Sequence, residues 1–136
     1  MISVIEAIRN VERNADVYIY VDRDEFEDCG WYIPEDRAIG ISANISDDEA
    51  IESIVHEVAH HVDISENDHE HRCDIDGEVI AHCVERVVCD HWNVNSAVID
   101  SIADDVREVY CINGVVSIDA SDINEVAARV SEIVGI

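Results

Sequence analysis

Between Ser46 and Asp63 the chain carries a segment that must be covered on two sides. Ser46, followed three residues later by Glu49, is a capping box that opens a helix running to about Asp63. Ile51, Val55, Val58 and Val62 recur at helical spacing and form its buried stripe. His56 and His60 stand one turn apart on roughly the opposite face. A helix that is apolar on one side and presents two histidines on the other needs something across from those histidines.

The run His56-Glu57-Val58-Ala59-His60 is an H-E-x-x-H, and its two imidazoles can share one tetrahedral zinc. A hydrolytic zinc takes a third protein ligand and leaves its fourth position to water. Glu78 is the first choice for that ligand. It opens a helix expected over about Asp76–His91, on the side that also carries Ala81, His82, Glu85 and Cys89. Val79, Ile80, Cys83, Val84, Val87 and Val88 make the apolar face of the same helix, and small Ala59 and Ala81 let the two helices approach closely. Glu85, about two turns along, is the alternative on that face. A further set lies in the polar stretch 64–74, where Glu66, His69 and His71 are available, although Asp63 stands where a turn back to such a ligand calls for glycine.

The rest of the chain bounds what surrounds this helix. Its 136 residues suit one domain, and 48% hydrophobic content supports a core despite a formal net charge of -24. All eight basic residues are Arg and lysine is absent, while the acids are spread evenly along the chain. That composition suits molar salt, which screens self-repulsion to ~3 Å, and points to a halophilic cytoplasm. No basic stripe is available to release phosphate counterions, so direct nucleic-acid binding is not expected. A very acidic chain can instead imitate DNA, and a non-catalytic acidic protein holding structural zinc is the rival functional class. Five cysteines without a C-x-x-C pair read as reduced thiols. With no signal-peptide pattern and no apolar run of ~18 residues, a cytoplasmic protein without a membrane partner is expected.

Ile2, Ile5, Ile8 and Val11 predict a first helix ending near Asn14. Strands follow at 17–22, 31–33 and 38–45, the last with Ile39, Ile41, Ala43 and Ile45 on one face, and Pro34-Glu35-Asp36 turns between the last two. The sheet is expected to be small and mostly antiparallel, with 38–45 at its edge. Helices over about 96–111 and 122–134, the second capped by Asp122 with Glu125, complete an α+β chain whose C-terminal half is helical.

GWYIPEDRAIGI (30–41), DDEAIESIVHEVAHHV (47–62) and GEVIAHCVERVVCDHWNV (77–94) together resemble the ImmA/IrrE/ArdC-like zinc metallopeptidases of the gluzincin clan, over about residues 15–110. The resemblance implies a single zincin-like domain over 1–136 and one zinc held by His56, His60 and Glu78. It also implies Glu57 as general base and zinc-dependent endopeptidase activity. A peptide or protein substrate is then expected to lie along the edge strand 38–45 by β-augmentation, with the protein a monomer or small homo-oligomer. For the group that steadies the oxyanion, His82, His91, Tyr32 and Tyr110 are all available. His61 reads as a packed group behind His60. His69, His71 and Cys73 read as a polar loop despite their ligand-like spacing, and Trp31, Trp92 and Tyr110 as core or rim aromatics.

Overall fold

The computed structural model describes residues 2–23, 29–70 and 72–136, and the His71 candidate lies outside them. The order of elements is α1 (Val4–Asn14), β1 (Tyr18–Asp22), β2 (Gly30–Ile33), a 3-10 turn at Pro34–Asp36, β3 (Ala38–Ser42), α2 (Asp47–His61), α3 (Asp74–Asp90), α4 (Ser96–Tyr110) and α5 (Ala120–Val134). A π-helical turn over Val62–Glu66 prolongs α2. The class is α+β with the N-terminal helix first, as expected. Among the described residues no helix is long and apolar enough to cross a membrane.

The sheet departs from the expectation. Its order is β1-β3-β2, with β1 parallel and β2 antiparallel to β3, so it is mixed and the 38–45 segment supplies its centre. The turn at Pro34–Asp36, closed by Arg37 at φ 47°, forces β2 and β3 antiparallel, and β3 then inserts between β2 and β1. A central strand is covered on both faces, and every residue from Ala38 to Ser42 is buried. Ile39 and Ile41 join the core, while Gly40 lies under Trp31, whose ring stands 2.1–2.4 Å from where a Cβ on Gly40 would fall. The strand stops at Ser42, leaving Ala43 exposed.

Ser46 caps α2 by accepting a hydrogen bond from the Glu49 backbone N–H at 3.2 Å, a contact of about 1 kcal/mol. Ile51, Val55, Val58 and Val62 are all buried as the stripe requires. In α1 the inward residues are Ala7 and Val11, and Ile5 faces outward. The cap of α5 lies one turn earlier than expected: Asp119 is the N-cap and Asp122 its reciprocal partner. Asn10 and Asn14 donate side-chain hydrogen bonds to the Val134 and Ile133 carbonyls, fastening α1 to the end of α5.

The charge carries a test of the salt reading. At low ionic strength the 24 excess negative charges interact over ~30 Å, and at 1 M salt over only ~3 Å. Raising KCl from 0.1 to 2 M is expected to stabilise the fold by about 2 kcal/mol, seen as a rise of roughly 6–10 °C in the unfolding midpoint. An uncharged osmolyte at matched osmolality should give clearly less. Equal effects, or an unmoved midpoint, would remove the halophilic reading.

Candidate metal centre

Helical periodicity brings His56 and His60 to one face of α2, and the opposing start of α3 brings Glu78 against them. His60 Nε2 lies 3.2 Å from His56 Nε2 and 3.1 Å from Glu78 Oε1, and Glu78 Oε2 lies 3.4 Å from His56 Nε2. Ligand atoms on a tetrahedron with metal bonds of about 2.0–2.1 Å are separated by about 3.3–3.4 Å. The three groups therefore already stand at ligand spacing. Glu78 Oε2 is buried and makes no hydrogen bond, an unsatisfied carboxylate oxygen that a cation would satisfy. The donor set of two imidazoles and a carboxylate fits zinc. Ala59 and Ala81 are both fully buried, consistent with close approach of α2 and α3.

Glu85 sits behind His56. Its Oε2 is 2.7 Å from His56 Nδ1 and 3.1 Å from His82 Nδ1, while His82 Nε2 is 3.0 Å from the Tyr110 hydroxyl at the end of α4. A carboxylate on Nδ1 fixes the imidazole so that Nε2 faces the metal position, which makes Glu85 an orienting group for His56. Among the described residues two sets of ligand-type atoms lie within 4.8 Å of one another, His56 with Glu57 and His60, and His56 with His82 and Glu85; in the second set the 2.7 Å His56–Glu85 contact is a hydrogen-bond distance and shorter than a tetrahedral ligand edge.

Burial lowers the His56 pKa, yet the carboxylates of Glu78 and Glu85 beside it outweigh burial and hold it up to about 10. The site stabilises positive charge, and a divalent cation bound there would compete for the place of that proton. For Glu85, burial pushes upward but the hydrogen bonds from His56 and His82 prevail and bring it down to about 2. Glu78 is held far below the usual carboxylate range by His56 and His60 against the effect of burial. Glu57 differs. It is only 6% exposed, and burial raises its carboxyl above the ordinary range against the pull of His56 and His60.

These groups line a cleft of about 630 Å³ between α2, α3 and β2. Gly30 lets β2 pass over α2: a Cβ there would lie 3.4 Å from both Ser53 Cβ and Glu57 Cγ. The strand beside the centre is thus the edge strand β2, and the expectation that 38–45 would receive an extended substrate is corrected because β3 is paired on both sides. The loop alternatives for the third ligand are placed elsewhere. Glu66 is paired with Arg129 at 2.8 Å, and His69 lies 2.9 Å from Asp63. Of the four oxyanion candidates, His82, Tyr32 and Tyr110 line the cleft, whereas His91 is the exposed C-cap of α3 and does not. The Tyr32 hydroxyl is engaged by other groups, 2.8 Å from His61 Nδ1 and 2.7 Å from Ser65 Oγ. His61 is buried, as expected of a packed group. Trp92 is about half exposed beside Arg86, whose guanidinium carbon stands 5.8 Å from its ring. Cys73 and Cys111 are exposed thiols, and Cys83 is buried.

Sequence reasoning missed Asp63 as a structural group. It is 1% exposed and pairs with Arg72 Nε at 2.8 Å, tying the π-helical turn to the connection that leads into α3. The later Arg72 was the only signal, and nothing local links the two.

Comparison with protein-family models, with curated proteins and with solved structures gave no match to this chain.

Proposed function

We propose that the chain is a zinc-dependent endopeptidase, a single zincin-like domain of the ImmA/IrrE/ArdC-like kind. The observation that carries this reading is the triangle of His56 Nε2, His60 Nε2 and the Glu78 carboxylate, closed at 3.1–3.4 Å, with Glu78 Oε2 at one corner buried and without a hydrogen bond. Zinc bound there supplies Lewis acidity, polarising a peptide carbonyl and bringing the pKa of water toward ~7. Glu57, whose carboxylate lies within 4.8 Å of the ligand atoms of His56 and His60, is assigned to take the proton from the attacking water and pass it to the leaving amide nitrogen. Its raised pKa suits both transfers. Glu85 holds His56 by Nδ1, and His82 in turn holds Glu85. Tyr110, its pKa raised by burial and by Glu78, keeps its proton and faces the cleft as a neutral donor. The edge strand β2 offers backbone groups to an extended peptide.

Metal titration of purified variants tests the centre. Wild-type protein is expected to bind about one zinc per chain, and replacement of both His56 and His60 by Ala to abolish binding. Glu78→Ala should weaken zinc by more than the 10–100-fold expected for Glu85→Ala, which acts through His56. Full retention of zinc by the double histidine variant would sink the reading, and the reverse order of the two glutamates would reassign the third ligand. A rival acidic protein with structural zinc predicts metal binding without peptide hydrolysis.

A further inference from the structure

The surface next to the cleft contains an apolar strip. On α4, half-buried Ile102 and exposed Val109 flank Val106, which is buried with Ile99 and Ala103, so the helix's apolar surface continues outward from its buried face. Val109 is 73% exposed and Tyr110 42%, beside Glu108 and Asp105 in a chain with 32 acidic residues. With α3 they line a groove of about 120 Å³, bounded by His82, Arg86 and Asp105. Arg86 is engaged at the rim, donating to Asp90 at 2.7 Å.

Two features define an occupant. The groove adjoins the cleft: His82 and Tyr110 line both, with His82 Nε2 and the Tyr110 hydroxyl 3.0 Å apart where the two meet. The His82 ring lies 4.7 Å from that of His56, so the groove opens one ring beyond a metal ligand. It is also far smaller than the ~300–1,000 Å³ of pockets that take whole ligands, and suits one side chain. An aspartate or glutamate side chain there would meet Asp105 and the apolar wall.

We propose that this groove between α3 and α4 receives an aliphatic side chain, of leucine or methionine size, from the peptide bound at the metal centre. The proposal rests on the peptidase reading for its occupant. The groove then sets specificity: the end of the side chain displaces water from Ile102 and Val109 over the buried floor at Val106, while the backbone stays at the metal.

The test compares leucine with alanine. Peptides differing only at the residues flanking the scissile bond should be cleaved with kcat/KM at least ~10-fold higher for Leu than for Ala at one position. In calorimetry on the zinc-loaded full chain, leucine hydroxamate should bind more tightly than alanine hydroxamate by a similar factor. Val109→Asp should collapse both ratios to about 1–2, whereas Val115→Asp, at a residue 85% exposed and outside the groove, should keep them. Equal treatment of Leu and Ala by wild type, or a preference that survives Val109→Asp, overturns the groove. Hydrolysis indifferent to Leu or Ala leaves the peptidase and removes the groove. A leucine preference in hydroxamate binding without peptide hydrolysis keeps the groove and removes the peptidase.

Discussion

Glu57→Gln is expected to keep one zinc per chain and to lower peptide hydrolysis by about 10²–10⁴-fold. The side chain is 6% exposed and touches the backbone path of β2 at Gly30, so a replacement of the same shape leaves the packing in place. Only the capacity to take and return a proton is removed. Zinc content measured beside hydrolysis of a fluorogenic peptide separates this from loss of the centre. A rate within about 3-fold of wild type, with metal retained, would take the general base away from Glu57.

A large effect on stability is expected at a distance from the chemistry. Arg72→Met removes the guanidinium that faces Asp63 and leaves a carboxylate 1% exposed without its strongest partner. His69, at 2.9 Å, is about half exposed and offers weaker compensation. Breaking a buried pair from one side costs about 3–5 kcal/mol, which urea unfolding should register as a lowered midpoint. Adding Asp63→Asn to that variant should recover part of the loss, since the uncompensated charge is then gone. A single variant within about 0.5 kcal/mol of wild type would show that the pair carries no stability.

The sequence revealed most where geometry is set within one helix. His56 and His60 fall on one face because four residues make just over one turn, and the opposite stripe from Ile51 to Val62 turns that face away from the core. Glu78 could be placed because the apolar face of α3 leaves it a single side to occupy. The strand order was not legible in this way. The alternation Ala38-Ile39-Gly40-Ile41-Ser42 reads as an edge strand with one apolar face, yet its small residues are buried too, beneath Trp31 and its neighbours. The absence of any charge across those five positions was the available sign of a central strand. At α5 two overlapping patterns competed, Asp119 with Asp122 and Asp122 with Glu125. The earlier one is used because buried Ile118 and Ile123 then occupy the positions of a hydrophobic staple. Asp63 looked like a lost glycine, and only the fold shows it as the counter-ion of Arg72.

The placement of β3 in the middle of the sheet also sets an order of events during synthesis. β1 leaves the ribosome with no strand to pair, since its register runs from Tyr18 to Ala38 and from Asp22 to Ser42. At ~5–20 residues per second, its partner follows by about one to four seconds. Through that interval Tyr18, Ile19, Tyr20 and Val21 form an unprotected strand edge of high β-propensity. The β2–β3 hairpin closes locally, and its completion at once supplies the strand that β1 lacks and the platform on which α2 docks. Acidic residues Asp16 and Asp22 flank the waiting strand and discourage pairing between nascent chains before β3 arrives.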